Sequence, residues 1–341
     1  MKNKKIVIFL KVILIIIFVV VVVAIGLLLA NNIDMSGGKK PVFGLTFSED
    51  YTKSLGLNWQ ETYLAILNDL HPQTIRLVAY WNEIESSPNN FFWNDLDWQV
   101  KEASKKNSKI ILAIGERVPR WPECHIPNWA SQLSKQDFQN SLDAYLKEIV
   151  NHYKNNPDII VWQVENEPLL SVFGDCPPPD INLLKNEIAV VKASDPSRPV
   201  MMTDSGELSL WLGTDGLADI LGTSFYRIVW DPHLGWVTHY FIPPVFYTIR
   251  AWIAEHIFGV KEVVISELQA EPWAPQSITS ESLSQQTAHF TLQDFQNNIT
   301  LAKRTGLSPI YFWGAEWWYY RKIHGDDSWW SLAEKIFNQQ N

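Results

Sequence analysis

Eight short apolar runs recur along the chain from residue 41 onward, and most are rich in β-branched or aromatic residues. Apolar runs of this length are typical of strands that are buried on both faces of a parallel sheet. Amphipathic stretches with helical spacing lie between most of them. The apolar runs cover residues 42–47, 74–80, 109–115, 158–164, 199–204, 219–226, 262–267 and 309–314, and the helical stretches cover 59–70, 96–105, 135–153, 181–193 and 283–304.

Eight strands that alternate with helices predict a (β/α)8, or TIM, barrel for residues 41–341. The alternative is an open, doubly wound sheet, but such a sheet usually carries a glycine-rich phosphate loop after an early strand, and none occurs here. One crossover, residues 228–260, is long, aromatic and poor in charge. It predicts either a barrel helix with a decorated loop before it, or a surface that rests on a membrane or shapes a cleft.

A different pattern opens the chain, because residues 12–30 are uncharged and mostly apolar and follow four lysines. A helix of this length spans a bilayer, and the lysines keep its N-terminus in the cytoplasm. The pattern predicts a basic cytoplasmic segment (1–11), a transmembrane signal anchor in the lipid bilayer (12–30), a flexible linker (31–40) and an extracytoplasmic domain. Secretion after cleavage of a signal peptide is the alternative, although Leu28 stands where cleavage favours a small residue.

Composition narrows the possible partners. The chain has 28 basic and 37 acidic residues and a formal charge of −9, which excludes nucleic acid as a partner. It also has 17 tryptophans, 16 phenylalanines and 11 tyrosines, many of them in predicted loops. Flat aromatic faces stack on the apolar faces of sugars, although many such rings serve only in packing.

Two of the apolar runs lead into a glutamate. Glu167 closes the string DIIVWQVENE after the fourth run, and Glu267 closes EVVISE, the seventh run. A carboxylate at the carboxyl end of a barrel strand lies where this fold places its chemistry. One such glutamate alone could be a turn or rim residue. A pair predicts the acid/base and nucleophile of an enzyme that cleaves glycosidic bonds.

In these motifs the chain resembles the clan A glycoside hydrolases, and among them the cellulase-like family 5, over residues 41–341. The resemblance implies that Glu167, which follows Asn166 at the end of strand four, is the acid/base. It implies that Glu267, at the end of strand seven, is the nucleophile of a retaining double displacement. Asn166 is expected to bind the sugar 2-hydroxyl.

The resemblance also assigns supporting residues. Arg76 in TIRLVAY matches the strand-two arginine that supports the nucleophile, and a cation at this place keeps a carboxylate ionised. Tyr226 matches the strand-six tyrosine that hydrogen-bonds to the nucleophile. Trp313 matches the strand-eight tryptophan that forms the floor under the cleaved sugar.

The chain departs from family 5 at two places. Members often carry a histidine two residues before the strand-six tyrosine, where this chain has Ser224. Many also carry a histidine near the end of strand three, where this chain reads Gly-Glu-Arg. We expect Trp81 and Glu116 to line substrate subsites, and Glu271 is the best rival for the nucleophile.

The two cysteines, Cys124 and Cys176, lie in the loops after strands three and four, which are neighbours in a barrel. An extracytoplasmic location would permit a disulfide between them, and the alternative is two free thiols. The histidines show no HExxH motif and no ligand spacing with the cysteines. We therefore expect no metal and no cofactor.

Together these patterns predict a membrane-anchored, retaining β-glycoside hydrolase that acts on a β-linked poly- or oligosaccharide. Two alternatives stay open. The chain could be a transglycosylase that remodels cell-surface glycan, or a non-catalytic glycan-binding protein at the surface.

Overall fold

The computed structural model describes residues 26–214, 216–232 and 234–340, together with residues 13, 15, 17, 18 and 22. Its strands are β1 (Phe43–Thr46), β2 (Thr74–Val78), β3 (Lys109–Ile114), β4 (Ile159–Val164), β5 (Val200–Asp204), β6 (Ile220–Phe225), β7 (Ile228–Asp231), β8 (Trp236–His239), β9 (Glu262–Gln269) and β10 (Ile310–Trp313). Eight of them form a closed parallel barrel in the order β1–β10–β9–β6–β5–β4–β3–β2. The predicted (β/α)8 barrel is confirmed, and all eight predicted strands belong to it.

Helices connect the strands and cover the outside of the barrel. They are α1 (Glu49–Ser54), α2 (Trp59–Ala65), α3 (Trp81–Ile84), α4 (Asn94–Lys105), α5 (Lys135–Tyr153), α6 (Ile181–Ser194), α7 (Pro244–His256), α8 (Leu283–His289), α9 (Leu292–Arg304), α10 (Ala315–Ile323) and α11 (Ser328–Asn338). The helical stretch predicted over 283–304 is two helices. Its division has a local cause, because Thr291 begins α9 with a capping box to Asp294.

The interior of the barrel changes character along its axis. Near the amino ends of the strands, inward-facing Ile111, Val161, Met201, Val264 and Tyr311 form a small apolar cluster. Residues two positions further along a strand lie on the same face, and several of these are polar and buried. They include Gln163, Thr203 and Ser266. The carboxyl ends of the strands therefore open onto a polar site above an apolar plug.

The crossover between β6 and β9 consists of the antiparallel hairpin β7–β8 followed by α7. This is the decorated loop and barrel helix of the first alternative. Tyr247 and Arg250 of α7 are buried, whereas Ile249 and Trp252 are 51% and 54% exposed. The helix thus packs with one face and presents apolar side chains on the other.

Within the part of the chain that the structure describes, no helix is both long and apolar enough to cross a bilayer. The predicted basic segment (1–11) and much of the predicted span (12–30) lie outside the described residues. The linker is tied to the barrel at the end of α9. Arg304 donates to the carbonyl of Asn31 at 2.8 Å, and the N–H of Met35 donates to the Arg304 carbonyl at 2.8 Å.

Candidate active site

Glu167 and Glu267 both lie at the carboxyl end of the barrel, but the backbone presents them differently. Glu267 belongs to β9, whereas Glu167 follows β4 in a turn where Glu165 and Glu167 have positive φ values of 62° and 46°. Left-handed backbone is unfavourable for residues other than glycine and often marks functional sites. The N–H of Glu167 donates to the hydroxyl of Thr203 at 2.8 Å, which holds the turn in place.

Three donors surround the carboxylate of Glu267. The guanidinium of Arg76 donates from Nη1 at 3.1 Å and from Nη2 at 3.2 Å, and the hydroxyl of Tyr226 donates at 3.1 Å. Arg76 is itself held, because it donates to Gln163 at 2.7 Å and to Asn166 at 2.7 Å. The planar guanidinium is fully buried, so Glu267 faces donors in a fixed arrangement.

Glu167 has a contrasting environment. Burial raises its pKa well above the usual range, and the charges of Glu267, Glu123 and Glu207 raise it further. The hydroxyl of Ser224, 3.0 Å away, acts in the opposite direction. One carboxyl is therefore held among donors while the pKa of its partner is raised, which is the division of roles that acid/base chemistry requires.

A third carboxyl, Glu123, lies beside this pair. Asn166 donates from Nδ2 to Glu123 at 3.1 Å and accepts from Thr203 at 3.0 Å. Burial and the charge of Glu267 raise the pKa of Glu123 to about 7. Despite these acids, no cluster of three or more His, Cys, Asp or Glu residues in the described chain could hold a metal ion.

The loops after β3 and β4 are covalently joined, because Cys124 and Cys176 form a disulfide. The bridge lies next to Glu123 in sequence. It also brings an exposed ring of the first loop, Trp121, to within 5.8 Å of Phe173 in the second. Phe173 in turn lies 5.3 Å from Trp273, so aromatic rings from three loops form one rim of the site.

A cleft of about 790 Å³ opens at this end of the barrel, a size suited to a small ligand. At one end of it, the guanidinium of Arg120 lies 3.8 Å above the ring of Tyr51 and 4.1 Å from the ring of Trp313. Arg120 forms ion pairs with Glu271 and with Glu316, the latter at 3.1 Å. Glu271 is thus engaged by a different arginine from the one that holds Glu267.

Three buried polar atoms beside this cleft have no hydrogen-bond partner among the described residues. They are Nε of Arg120, Oε2 of Glu271 and Nε1 of Trp313. Buried polar groups are normally paired, and an unpaired group in a cleft is a place for a ligand or water. Two donors and one acceptor match the hydroxyl groups of a sugar.

Two of the expected subsite residues lie elsewhere. Trp81 is fully buried at the start of α3, where its indole donates to Glu85 at 2.8 Å and stacks on Tyr145 at 5.4 Å. It is a core residue, and its predicted role in a subsite is wrong. Glu116 donates through its backbone to Glu165 at 2.8 Å. Burial, and after it the charge of Glu165, raises the pKa of Glu116 to about 8, so this residue belongs to a buried acid cluster rather than to the cleft.

The sequence did not point to Glu123, Arg120 or Glu207, which all approach the site from loops. A signal existed for Glu123, since it precedes a cysteine that was expected to lie on the catalytic face. Glu207 stands three residues beyond β5, in a string that reads as an ordinary turn.

Comparison with known proteins agrees with this geometry. The family model described as Cellulase (glycosyl hydrolase family 5) matches residues 35–233, which include the first six barrel strands. Probable mannan endo-1,4-beta-mannosidase F of Aspergillus flavus is 27% identical over 130 residues, which is 35% of this chain and 27% of that protein. The same figures hold for the Aspergillus oryzae protein of that name. The chain thus spans about a quarter of the length of these curated relatives.

Solved structures share the fold at low sequence identity. A GH5_18 protein from Streptomyces cattleya in complex with GlcNAc gives a TM-score of 0.59 at 12% identity, covering 81% of this chain and 70% of that one. A variant of it in complex with Manβ1-4GlcNAc gives 0.58 at 10% identity, with coverages of 80% and 71%. A family 10 endo-β-1,4-xylanase from Gloeophyllum trabeum gives 0.53 at 15% identity, with coverages of 83% and 87%.

Proposed function

Because the chain belongs to glycosyl hydrolase family 5, we propose that it hydrolyses O-glycosidic bonds of a β-linked saccharide, with Glu267 as nucleophile and Glu167 as acid/base. One observation carries the proposal. Glu267 is held by Arg76 and Tyr226 through three hydrogen bonds, while the neighbouring Glu167 has a pKa raised well above the usual range. A retaining glycosidase needs these two states of a carboxyl side by side.

In the first step, a carboxylate oxygen of Glu267 attacks the anomeric carbon and forms an ester bond to it. The bond from that carbon to the glycosidic oxygen breaks, and the oxygen takes the proton of Glu167. In the second step, Glu167 removes a proton from water as the water oxygen attacks the same carbon. The ester bond breaks, Glu267 is a carboxylate again, and the configuration at the anomeric carbon is retained.

The surrounding residues orient these steps. Arg76 and Tyr226 fix the attacking carboxylate, and the amide of Asn166 is fixed in turn by Arg76 and Thr203. A donor aimed at the reacting sugar strengthens its hold as the oxocarbenium-like transition state develops. Trp313 supplies a flat ring beneath the sugar, and its indole N–H is free of protein partners in the described chain.

For the substrate, we propose a β-1,4-linked mannoside. Two facts support this choice: the curated relatives are named mannan endo-1,4-beta-mannosidases, and a structural neighbour was solved with Manβ1-4GlcNAc. The cleft suits a neutral sugar, because the three polar atoms beside it that lack a hydrogen-bond partner among the described residues are two donors and one acceptor. Aromatic rings at Trp121, Phe173 and Trp273 provide stacking surfaces for further sugar units.

Substitution of the two glutamates tests their roles. Glu267→Gln and Glu167→Gln each keep the size of the side chain but remove its chemistry, so turnover should fall by about 10³-fold or more. The assay uses β-1,4-mannan, Manβ1-4GlcNAc, β-glucan and xylan with the intact protein, and ¹H NMR follows the anomer released first. Azide should partly restore one variant by replacing the missing nucleophile or base.

Full activity of either variant would overturn the assignment, and first release of the inverted anomer would overturn retention. Products longer than the substrate at high acceptor concentration would indicate transglycosylation instead. Binding without turnover across the four glycans would indicate a glycan-binding protein.

We also propose that residues 12–30 anchor the protein in a membrane with the barrel on the extracytoplasmic side. The support is the apolar run behind four lysines, together with a disulfide of the kind that persists in oxidising compartments. Intact-mass measurement of the protein from its native membrane fraction tests this. A mature chain that begins near residue 31 would show a cleaved signal peptide and secretion instead.

A further inference from the structure

We propose that Ser224 and Glu207 form a hydroxyl switch that keeps the acid/base Glu167 protonated before glycosidic cleavage and stabilises its carboxylate afterwards. The inference rests on the proposed function, since it concerns the proton that Glu167 must deliver. It assigns a positioning role to two residues whose side chains hydrogen-bond to each other and, through Ser224, to Glu167, rather than to Glu267.

The switch is visible in the contacts of one oxygen atom. Oγ of Ser224 lies 3.0 Å from Oε1 of Glu167 and 2.8 Å from Oε2 of Glu207, and it accepts the N–H of Gly206 at 2.9 Å. Ser224 is buried on β6, so bulk water does not compete for these contacts. A single hydroxyl therefore links the acid/base to a second carboxyl behind it.

The single proton of the Ser224 hydroxyl limits how Glu167, Ser224 and Glu207 can hydrogen-bond to one another. A serine hydroxyl has one proton, which it can donate to only one of the two carboxyl oxygens. Glu207 has two further donors on its other oxygen, the N–H of Tyr226 at 2.9 Å and the hydroxyl of Tyr247 at 2.7 Å. Glu207 is therefore the better anion, and Glu167 is the better carrier of a proton.

Two complete arrangements follow. While Glu167 is protonated, it donates to Oγ of Ser224, and Ser224 donates to Glu207. Once the proton of Glu167 has passed to the glycosidic oxygen, rotation of the Ser224 hydroxyl about Cβ–Oγ supplies a donor to the new carboxylate. When Glu167 takes a proton from water in the second step, the hydroxyl rotates back. No heavy atom has to move.

The charges around Ser224 also favour the protonated form of Glu167. Glu207, which is partly buried, adds a negative charge behind Glu167, beside those of Glu267 on β9 and Glu123 after β3. Cations of the β6–α7 segment offset the charge of Glu207, since Arg250 and Arg227 both lie near it. Among the described residues, the hydroxyl of Tyr247 donates to Glu207 and Tyr240 also lies near it, whereas Tyr226 offers Glu207 its backbone N–H and directs its hydroxyl to Glu267.

The loop after β5 is built for this contact. A Cβ atom on Gly206 would lie 2.0 Å from the carbonyl oxygen of Ser224 and 2.7 Å from the ring of Tyr247. Only glycine allows so close an approach of the two backbones. That approach brings Glu207, the next residue, into reach of the Ser224 hydroxyl.

The test is the pH dependence of two variants. In Glu207→Gln, the amide oxygen can accept from both tyrosines while its NH₂ donates to Ser224, which then donates permanently to Glu167. With the charge of Glu207 also gone, the carboxylate of Glu167 is favoured. We expect the alkaline limb of kcat/KM on β-1,4-mannan to move down by about one pH unit or more.

Ser224→Ala should act in the opposite direction. It removes both the hydrogen bond that Ser224 accepts from protonated Glu167 and the charge-assisted one that it donates to the Glu167 carboxylate. Because the charge-assisted bond is the stronger and the charge of Glu207 remains, the alkaline limb should move up, and kcat should fall more than KM changes. Loss of packing alone would not move the two limbs in opposite directions.

A matched control is Asp204→Asn, another buried carboxyl at the end of β5. It accepts from Ser209 and Thr214 and contacts neither Ser224 nor Glu167. We expect its pH profile to match that of the unmodified protein. Titration of ¹³C-labelled glutamate carboxyls by NMR, with Glu167 assigned from Glu167→Gln, gives the same comparison without any substrate.

Folded Glu207→Gln and Ser224→Ala variants whose Glu167 titrates as in the unmodified protein would overturn the switch. If Glu167→Gln were inactive in the same experiments, the proposed function would stand while the switch failed. If Glu167→Gln were fully active, the function itself would fail.

Discussion

At the scale of single residues, the site depends on polar side chains buried in apolar strands. Arg76 shows this most clearly, because its guanidinium donates to acceptors on three different strands and to Asn166 in the loop after β4. These include Gln163 on β4 and the carbonyl of Ser266 on β9, in addition to Glu267. A fully satisfied guanidinium is rigid, so the carboxylate it holds is rigid too.

We predict that Arg76→Lys lowers kcat/KM by about 10²-fold, because a lysine ammonium cannot reach Glu267, Asn166 and Gln163 together. Steady-state kinetics on the best substrate of the panel measures this. Arg321→Lys is a matched control, since Arg321 is a buried arginine paired with Asp326 away from the cleft. Equal kinetics for Arg76→Lys and the unmodified protein would contradict the role given to Arg76.

The sequence identified the residues whose signal is local. Arg76 and Glu267 stand out because a charged residue within an apolar strand is costly to bury unless it has a partner. The sequence does not decide the place of Trp81, because an aromatic residue just after a strand can face either a cleft or the core. Glu207 could not be found, since its approach to Ser224 depends on a backbone contact made possible by Gly206.

At the scale of elements, the strands and helices follow the hydrophobic pattern of the sequence. The loops carry site residues whose positions that pattern does not predict. The loop after β3 carries Arg120, Trp121 and Glu123, and the loop after β4 carries Glu167 and Phe173. The disulfide makes these two loops one unit. Glu167 and Glu267, the two proposed catalytic residues, therefore lie beside a covalently closed wall.

We predict that Cys124→Ser/Cys176→Ser is destabilised by about 2–4 kcal/mol, because the bridge closes a loop of 52 residues in the unfolded chain. Urea denaturation measures the stability, and KM for the best substrate should rise as the aromatic rim loosens. Reductant should reproduce both effects in the unmodified protein and change nothing in the double variant. An unchanged KM would show that the loops hold their positions without the bridge.

At the scale of the whole molecule, buried acids tie stability to pH. Burial raises the pKa of Glu187 to about 8 and that of Glu316 to about 7, in addition to the shifts of Glu116 and Glu123. Such a group binds a proton more tightly when folded, so its contribution is complete below the unfolded pKa of about 4.5 and is lost as the pH rises through the folded value. Burial lowers the pKa of His125 to about 4. Its contribution to stability is therefore lost as the pH falls below about 6.5, the pKa of an unperturbed histidine.

We predict that the free energy of unfolding falls between about pH 5 and pH 8, and that Glu187→Gln reduces this fall. The amide removes a buried carboxyl that must ionise as the pH rises. Urea titrations at pH 5 and pH 8 should show the variant relatively more stable at pH 8. Glu148→Gln, on the exposed side of α5, should show the same pH dependence as the unmodified protein. Equal slopes for all three proteins would contradict the assignment.

The bridge between Cys124 and Cys176 has a practical consequence for producing the protein. Neither sulfur belongs to the apolar core of the barrel, so a bacterial cytoplasm that keeps thiols reduced should still yield a folded barrel. Such material would pass tests of helix content and solubility while its two catalytic-face loops were unlinked. A host with an oxidising export route is therefore the appropriate choice, and the first quality check on any batch is the absence of free thiols.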